Sequence, residues 1–259
     1  MSEPTVTRTD AAGVATLTLQ RPGLSHAMRG ELLTLVREVG ADESVRAVLL
    51  TGTGRAFCVG QDLGEHVEVL RGDAARSLSI VESEYNPLVL ALSALGVPVV
   101  VGINGACAGA GLGLALAGDL RVAAAGAKFT TAFAGIGLSS DSGLASRLVH
   151  CVGGSRAADL LLLPDPFLAE TAAQWGLVHR VVAPEQVLPE AQTLATRLAA
   201  GPTLAYRAIK TVLATAATDS LEDTLALEAG LQTSLGATAD HREAVEAFLA
   251  KRPAEFTGR

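Results

Sequence analysis

The chain is short of rings, thiols and clustered positive charge, and each shortage removes a class of function. Its 259 residues include six Phe, two Tyr and one Trp, 3% aromatic in all. Acidic side chains outnumber basic ones by 27 to 20, the formal net charge is −7, and no run of Lys and Arg occurs. A nucleic-acid surface, which needs a basic face with stacking rings, finds no support here. The three cysteines (Cys58, Cys107 and Cys151) are too few and too irregularly spaced for a disulfide framework or a Cys-x-x-Cys metal pair. Their apolar or glycine-rich surroundings suit buried structural thiols, and no metal site is expected. Unbroken apolar stretches approaching roughly 18 residues are also missing, because the best candidate is interrupted by Asn104 and Asp119. The polar start "MSEPTVTRTDAAG" has no basic-then-apolar leader. A cytoplasmic protein with no membrane role is the expectation.

Apolar residues are plentiful, at 49% against 18% charged, enough for a sizeable core in one large domain or a domain with an appendage. "GVATLTLQRP" (13–22) alternates like a strand and stops at Pro22. Leu32, Leu35, Val36 and Val39 predict a helix over 28–45. "RAVLLTGTG" (46–54) reads as a buried strand, 55–66 as a loop, and 73–95 as helical with a break or kink at Pro87. "VPVVVGI" (97–103) is a strand, 119–133 a strand with an extended piece, and "QWGLVHRVV" (174–182) the last strand. Beyond about residue 186 only amphipathic helical patterns remain. The fold class is therefore α/β with an all-helical tail, and a helical extension of this kind suits an oligomer.

"VVVGINGACAGAGLGLALAGDLRVAA" (99–124) has the outline of a nucleotide loop, a β-branched run leading into glycines and a small-residue helix. Its spacing, Gly109, Gly111 and Gly113, is not G-x-G-x-x-G, it follows at least three earlier strands, and no acidic residue ends the next strand. No lysine follows the glycines, so a P-loop fails as well. Two uses remain: tight helix packing, or presentation of backbone N–H groups at a helix start to an oxyanion. The loop "GRAFCVGQDL" (54–63) also follows a buried strand and is placed to supply a second donor.

The segments "LTLQRP", "VLLTGTGRAFCVGQDL", "VPVVVGINGACAGAGLGLALAGDLRVAA", "KFTTAFAGIGLSSDSG" and "AFLAKRPAEFTG" occur in this order over nearly the whole chain. In these the sequence resembles the crotonase (enoyl-CoA hydratase/isomerase) superfamily. The resemblance implies a spiral of β-β-α units over 1–190 and a helical region over 191–259 that serves trimerisation and covers the active site. It also implies homotrimers or dimers of trimers, a coenzyme A thioester as substrate and partner, and no separate cofactor. Carried over position by position, the thioester carbonyl would be held by the backbone N–H groups of Gln61 and Ala110. Arg21, Ala56 and Cys58, with Asp62, Leu63 and Gly109, would line the coenzyme A and acyl path, as would Phe133. Lys251 and Phe256 match tail positions that reach a neighbouring subunit's coenzyme A.

The departures narrow the subclass. The two glutamates of family hydratases would fall at Gly113 and Phe133, where no acid–base chemistry is available. Asp141 in "GLSSDSG" matches the base of the family's ring-epoxide (epoxyphenylacetyl-CoA) and dienoyl-CoA isomerases, and its alternative role is a helix N-cap. Asp62 suits holding its loop rather than chemistry. His26 stands where the family carries asparagine and reads as a surface-loop residue, while Glu65, His66, Glu84 and Tyr85 are candidates for the acyl pocket that the sequence does not place. The expected activity is an acyl-CoA isomerase. A divergent hydratase or lyase and a catalytically silent acyl-CoA-binding protein are the alternatives.

Overall fold

The computed structural model describes residues 3–72 and 77–259. Strands β1 (Val6–Ala11) and β2 (Val14–Leu19) form an antiparallel hairpin. Its two-residue turn, Ala12–Gly13, has positive φ at both positions, the geometry that matches strand twist. Helix α1 (His26–Ala41) starts two residues earlier than its apolar pattern, because Ser25 caps it by accepting from the Met28 N–H. His26 therefore opens a helix instead of lying in a loop.

From β3 onward the chain repeats a strand, a second short strand and a helix. The first unit is β3 (Ala47–Gly52), β4 (Ala56–Cys58) and α2 (Leu63–Gly72); a π-helical turn (Val81–Tyr85) and α3 (Asn86–Ser93) follow it. The second is β5 (Val99–Ile103), β6 (Ala106–Ala108) and α4 (Ala110–Ala117). The third is β7 (Leu120–Ala124), β8 (Lys128–Thr130), a 3-10 turn (Phe133–Ile136) and α5 (Leu144–Leu162), which is kinked at Gly153. With the later strands β9 (Phe167–Leu168) and β10 (Arg180–Val182), first strands join one sheet, ordered β1-β2-β3-β5-β7-β10, and second strands another, ordered β4-β6-β8-β9. All pairs are parallel except the two edge pairs, β1 with β2 and β8 with β9 (Phe167–Leu168). This alternation between two sheets is the spiral of β-β-α units.

Several elements differ from their sequence patterns for local reasons. The segment 55–66 is not wholly a loop, since it holds the three-residue β4 and the start of α2. Residues 73–76 of the helical stretch expected over 73–95 lie outside the described residues. The break expected at Pro87 falls where the π-helical turn Val81–Tyr85 passes directly into α3, with Pro87 in the first turn of α3. The last strand, β10 (Arg180–Val182), is shorter than 174–182 because Gln174 ends α6 (Ala169–Gln174).

Helix α7 (Val187–Ala199) closes the back of the larger sheet, packing Ala191, Leu194, Ala195 and Ala199 against Val14, Leu49, Val100 and Val122. The division expected at residue 190 thus falls inside a core-forming helix. Helices α8 (Thr203–Thr215), α9 (Leu221–Gly236) and α10 (Ala239–Ala250) complete the C-terminal region, and α9 has no buried residue. The buried Asp240 holds the terminal tail by accepting from the Thr257 and Gly258 N–H groups at 2.7 and 2.9 Å. No helix among the described residues is long and apolar enough to cross a membrane.

Candidate active site

The site forms where the second strands run into their helices. Gly109 adopts φ 53° and ψ −127°, a conformation essentially restricted to glycine, and so turns β6 abruptly into α4. Its own N–H is used by Thr130, and its carbonyl accepts the first helical bonds from Leu112 and Gly113 at 3.0 and 3.2 Å. The Ala110 N–H precedes those bonds and is one of the helix's orphan donors. All eight residues of α4 are buried, so the positive end of its dipole acts in a dry environment.

The facing loop is set by a parallel bridge between Leu24 and Gln61. Leu24 donates to the Gly60 carbonyl at 2.8 Å and accepts from the Asp62 N–H at 3.3 Å. Strand alternation then turns the Gln61 N–H away from Leu24. A Cβ placed on Gly60 would lie 3.4 Å from the Ala110 nitrogen, so the two loops are in direct contact. Asp62 accepts from the Gly64 and Glu65 N–H groups at 2.9 and 3.2 Å and caps the start of α2. It holds the loop.

Asp141 lies in a tight turn before α5. Ser142 and Gly143 both have left-handed φ (54° and 70°), and the Leu144 N–H closes back on the Asp141 carbonyl at 2.9 Å. Gly143, not Asp141, occupies the N-cap position, so the carboxylate does not cap the helix. It accepts from the Ser142 hydroxyl at 2.7 Å. Burial pushes the Asp141 carboxyl above its ordinary range, and the Ser142 hydrogen bond only partly offsets this. The turn packs against the first turn of α4: a Cβ on Gly113 would stand 2.7 Å from Ser142 Cβ and 2.8 Å from its carbonyl. The space that a side chain at 113 would need is occupied by the Asp141 turn.

Phe133 is buried with its ring edge 3.8 Å from a notional Cβ on Gly109, and so covers the turn into α4. The Cys58 thiol below the site is raised to about 12 by burial, and Cys107 moves the same way, which keeps both protonated. Ala56 is half-buried at the start of β4, while Arg21 and Leu63 are exposed at the rim. Within one chain the tail residues stand apart from this cluster. Phe256 hangs by its carbonyl from Arg46, just before the first residue of β3, and Lys251 is the exposed cap of α10.

One network was not legible in the sequence motifs. Arg29, 3% exposed, donates to Glu84 Oε2 at 2.6 Å and to the Leu24 carbonyl, and lies 3.7 Å from Glu65. His26 Nδ1 meets the other Glu84 oxygen at 3.1 Å, and the His26 backbone N–H donates to Glu65. Burial works to raise the Glu84 carboxyl, but Arg29, helped by His26, outweighs it and holds the group below its usual range. Arg29 falls in register with Leu32, Val36 and Val39, so a charge on the apolar stripe of α1 was the available signal. Among the described residues no three His, Cys, Asp or Glu side chains converge as metal ligands would.

Comparison with known proteins agrees with this architecture. Residues 9–259 match the family model for enoyl-CoA hydratase/isomerase. A crystal structure of a Mycobacterium abscessus protein of the enoyl-CoA hydratase/isomerase kind superposes with a TM-score of 0.96 at 49% identity, covering 98% of this chain and 100% of the other. The chain belongs to the enoyl-CoA hydratase/isomerase family, the crotonase superfamily. It is 43% identical to the 1,2-epoxyphenylacetyl-CoA isomerase of Escherichia coli (strain K12), over 95% of this chain and 96% of the relative. It is 41% identical, over the full length of both, to a Rhodobacter capsulatus relative named as a probable enoyl-CoA hydratase.

Proposed function

We propose that the protein is an acyl-CoA isomerase that moves a proton through an enolate. The observation that carries this reading is Asp141: a carboxylate of raised proton affinity beside the start of α4, with glycine and phenylalanine at the two positions where hydratases need glutamate. The thioester carbonyl oxygen would sit between the Gln61 and Ala110 N–H groups. Asp141 removes a proton from carbon, and the electron pair moves onto that oxygen to give an enolate. The same carboxyl returns the proton to a different carbon, so the product is an isomer and nothing is consumed. Only the coenzyme A carried by the substrate is required. The likeness to 1,2-epoxyphenylacetyl-CoA isomerase makes an unsaturated or ring-epoxide thioester the substrate class to try first.

Arg21, Ala56 and Leu63 are proposed to flank the coenzyme A path, and Lys251 and Phe256 to reach that of a neighbouring subunit in a homotrimer or dimer of trimers, in the cytoplasm. The hydratase-named relative keeps a second reading in view, hydration by water held on Asp141. Glu65 and Glu84, the nearby carboxylates that such a reaction would recruit, are already engaged by Arg29 and His26. The test is Asp141→Asn, assayed by migration of a 3-enoyl-CoA double bond and by hydration of a 2-enoyl-CoA. A fall of about 100-fold or more in isomerisation is expected, the scale of losing a general base. Undiminished isomerisation would refute the assignment, and loss of hydration as the main wild-type activity would establish the second reading.

A further inference from the structure

Tyr85 is 1% exposed and its hydroxyl proton has no acceptor: the Arg29 guanidinium, itself only a donor, is the one group that bears on the oxygen among the described residues. A buried phenol normally finds one, so an orphaned hydroxyl needs an explanation. Its neighbourhood supplies it. Helix α3 runs alongside the start of α5: Arg147 donates to Ser93 Oγ at 2.8 Å, and Val89 Cγ1 lies 3.7 Å from a notional Cβ on Gly143. One turn earlier on the same face is Tyr85, which places it beside the Asp141 turn. The Asp141 carboxylate is near enough to disfavour ionisation of the phenol, in keeping with that placement.

The ring is held firmly. It ends a π-helical turn, an irregularity common at functional sites, and the Arg29 guanidinium lies over its face, 5.2 Å from the centroid. Arg29 is fixed in turn by the adjacent Glu84. Burial raises the phenol, so it remains a protonated donor at neutral pH.

We propose that Tyr85 Oη donates a hydrogen bond to an oxygen borne on the acyl group of the substrate, apart from the thioester carbonyl. This rests on the acyl-CoA reading above, in which the carbonyl oxygen is already assigned to the Gln61 and Ala110 N–H groups. The preferred substrates are therefore acyl groups carrying an epoxide, hydroxyl or alkoxide oxygen, in preference to plain alkenyl chains. A site built to bond an oxygen penalises the analogue without it, because the donor is left buried and unpaired.

The test compares binding of phenylacetyl-CoA and 2-hydroxyphenylacetyl-CoA by calorimetry, for the full-length protein and for Tyr85→Phe. The wild type should favour the hydroxylated thioester by roughly tenfold, and the variant should bind both alike. Its thermal midpoint should be unchanged or higher, since an unpaired buried hydroxyl contributes nothing to the fold. A hydroxyl serving only the structure would give the opposite pattern, a lowered midpoint with the preference intact, and overturns the proposal. So does a wild type that binds both thioesters without preference. Failure of the wild type to bind either thioester would instead remove the acyl-CoA reading beneath it.

Discussion

At the residue scale, the turn around Asp141 sets the proton affinity of the proposed base by two opposed effects. Burial disfavours the charged carboxylate, and the Ser142 hydroxyl favours it through a 2.7 Å hydrogen bond. Ser142→Ala keeps the Cβ that packs on Gly113 and removes only the donor. The carboxyl then rises further, and because the base acts deprotonated, the acid limb of the rate–pH profile must move to higher pH. A profile that stays in place, measured as kcat/KM across pH, would disconnect Asp141 from the chemistry. Asp141 itself was visible in the sequence through its motif. Its rival role as a helix cap was settled only by coordinates, because capping depends on whether the helix begins one residue or three residues later.

At the scale of elements, the junction of β4, β6 and α4 is close-packed to a degree that composition hinted at without locating. A Cβ on Gly111 would come within 2.2 Å of the Cys58 carbonyl, so α4 rests directly on the end of β4. The glycines that resemble a nucleotide loop thus serve tight packing, the first of the two uses open at the outset, and suit the proposed second. Gly111 and Gly113 admit neighbouring backbone, while Gly109 aims the helix start. Introducing the hydratase-type side chain by Gly113→Glu should therefore not confer hydration. It should destabilise the fold by about 1–3 kcal/mol or more, the usual cost of overpacking, and lower the thermal midpoint by several degrees. Differential scanning calorimetry together with a 2-enoyl-CoA hydration assay decides this. The long helices and the strands of the larger sheet were legible from periodicity. The second sheet was not, because three-residue strands carry no pattern and form only when neighbouring units stack.

For the whole molecule, the helical end leaves much apolar surface uncovered in a single chain. Phe248 and Leu249 on α10 are 82% and 75% exposed, as are Leu221 on α9 and Leu213 on α8 at 75% and 70%. Isolated chains rarely tolerate such surface, which supports the proposed association of copies through this region. Sedimentation velocity should find a trimer or a multiple of one, and Phe248→Glu should shift it toward smaller species. A monodisperse wild-type monomer would contradict the oligomeric proposal. The sequence marked this region as helical and amphipathic, but the partner of an apolar face cannot be read from the face alone. Arg29 escaped notice, and Tyr85 could be named but not placed, for a related reason: their meaning lies in contacts between α1, the π-helical turn and α5, which are far apart along the chain.

The close approach of Gly113 to Ser142 ties two positions together that are far apart along the chain. A side chain at 113 has to displace the turn that carries Asp141, so a substitution there moves the proposed base as well as adding an atom of its own. The path of the backbone at this point therefore constrains which acids the site can hold together.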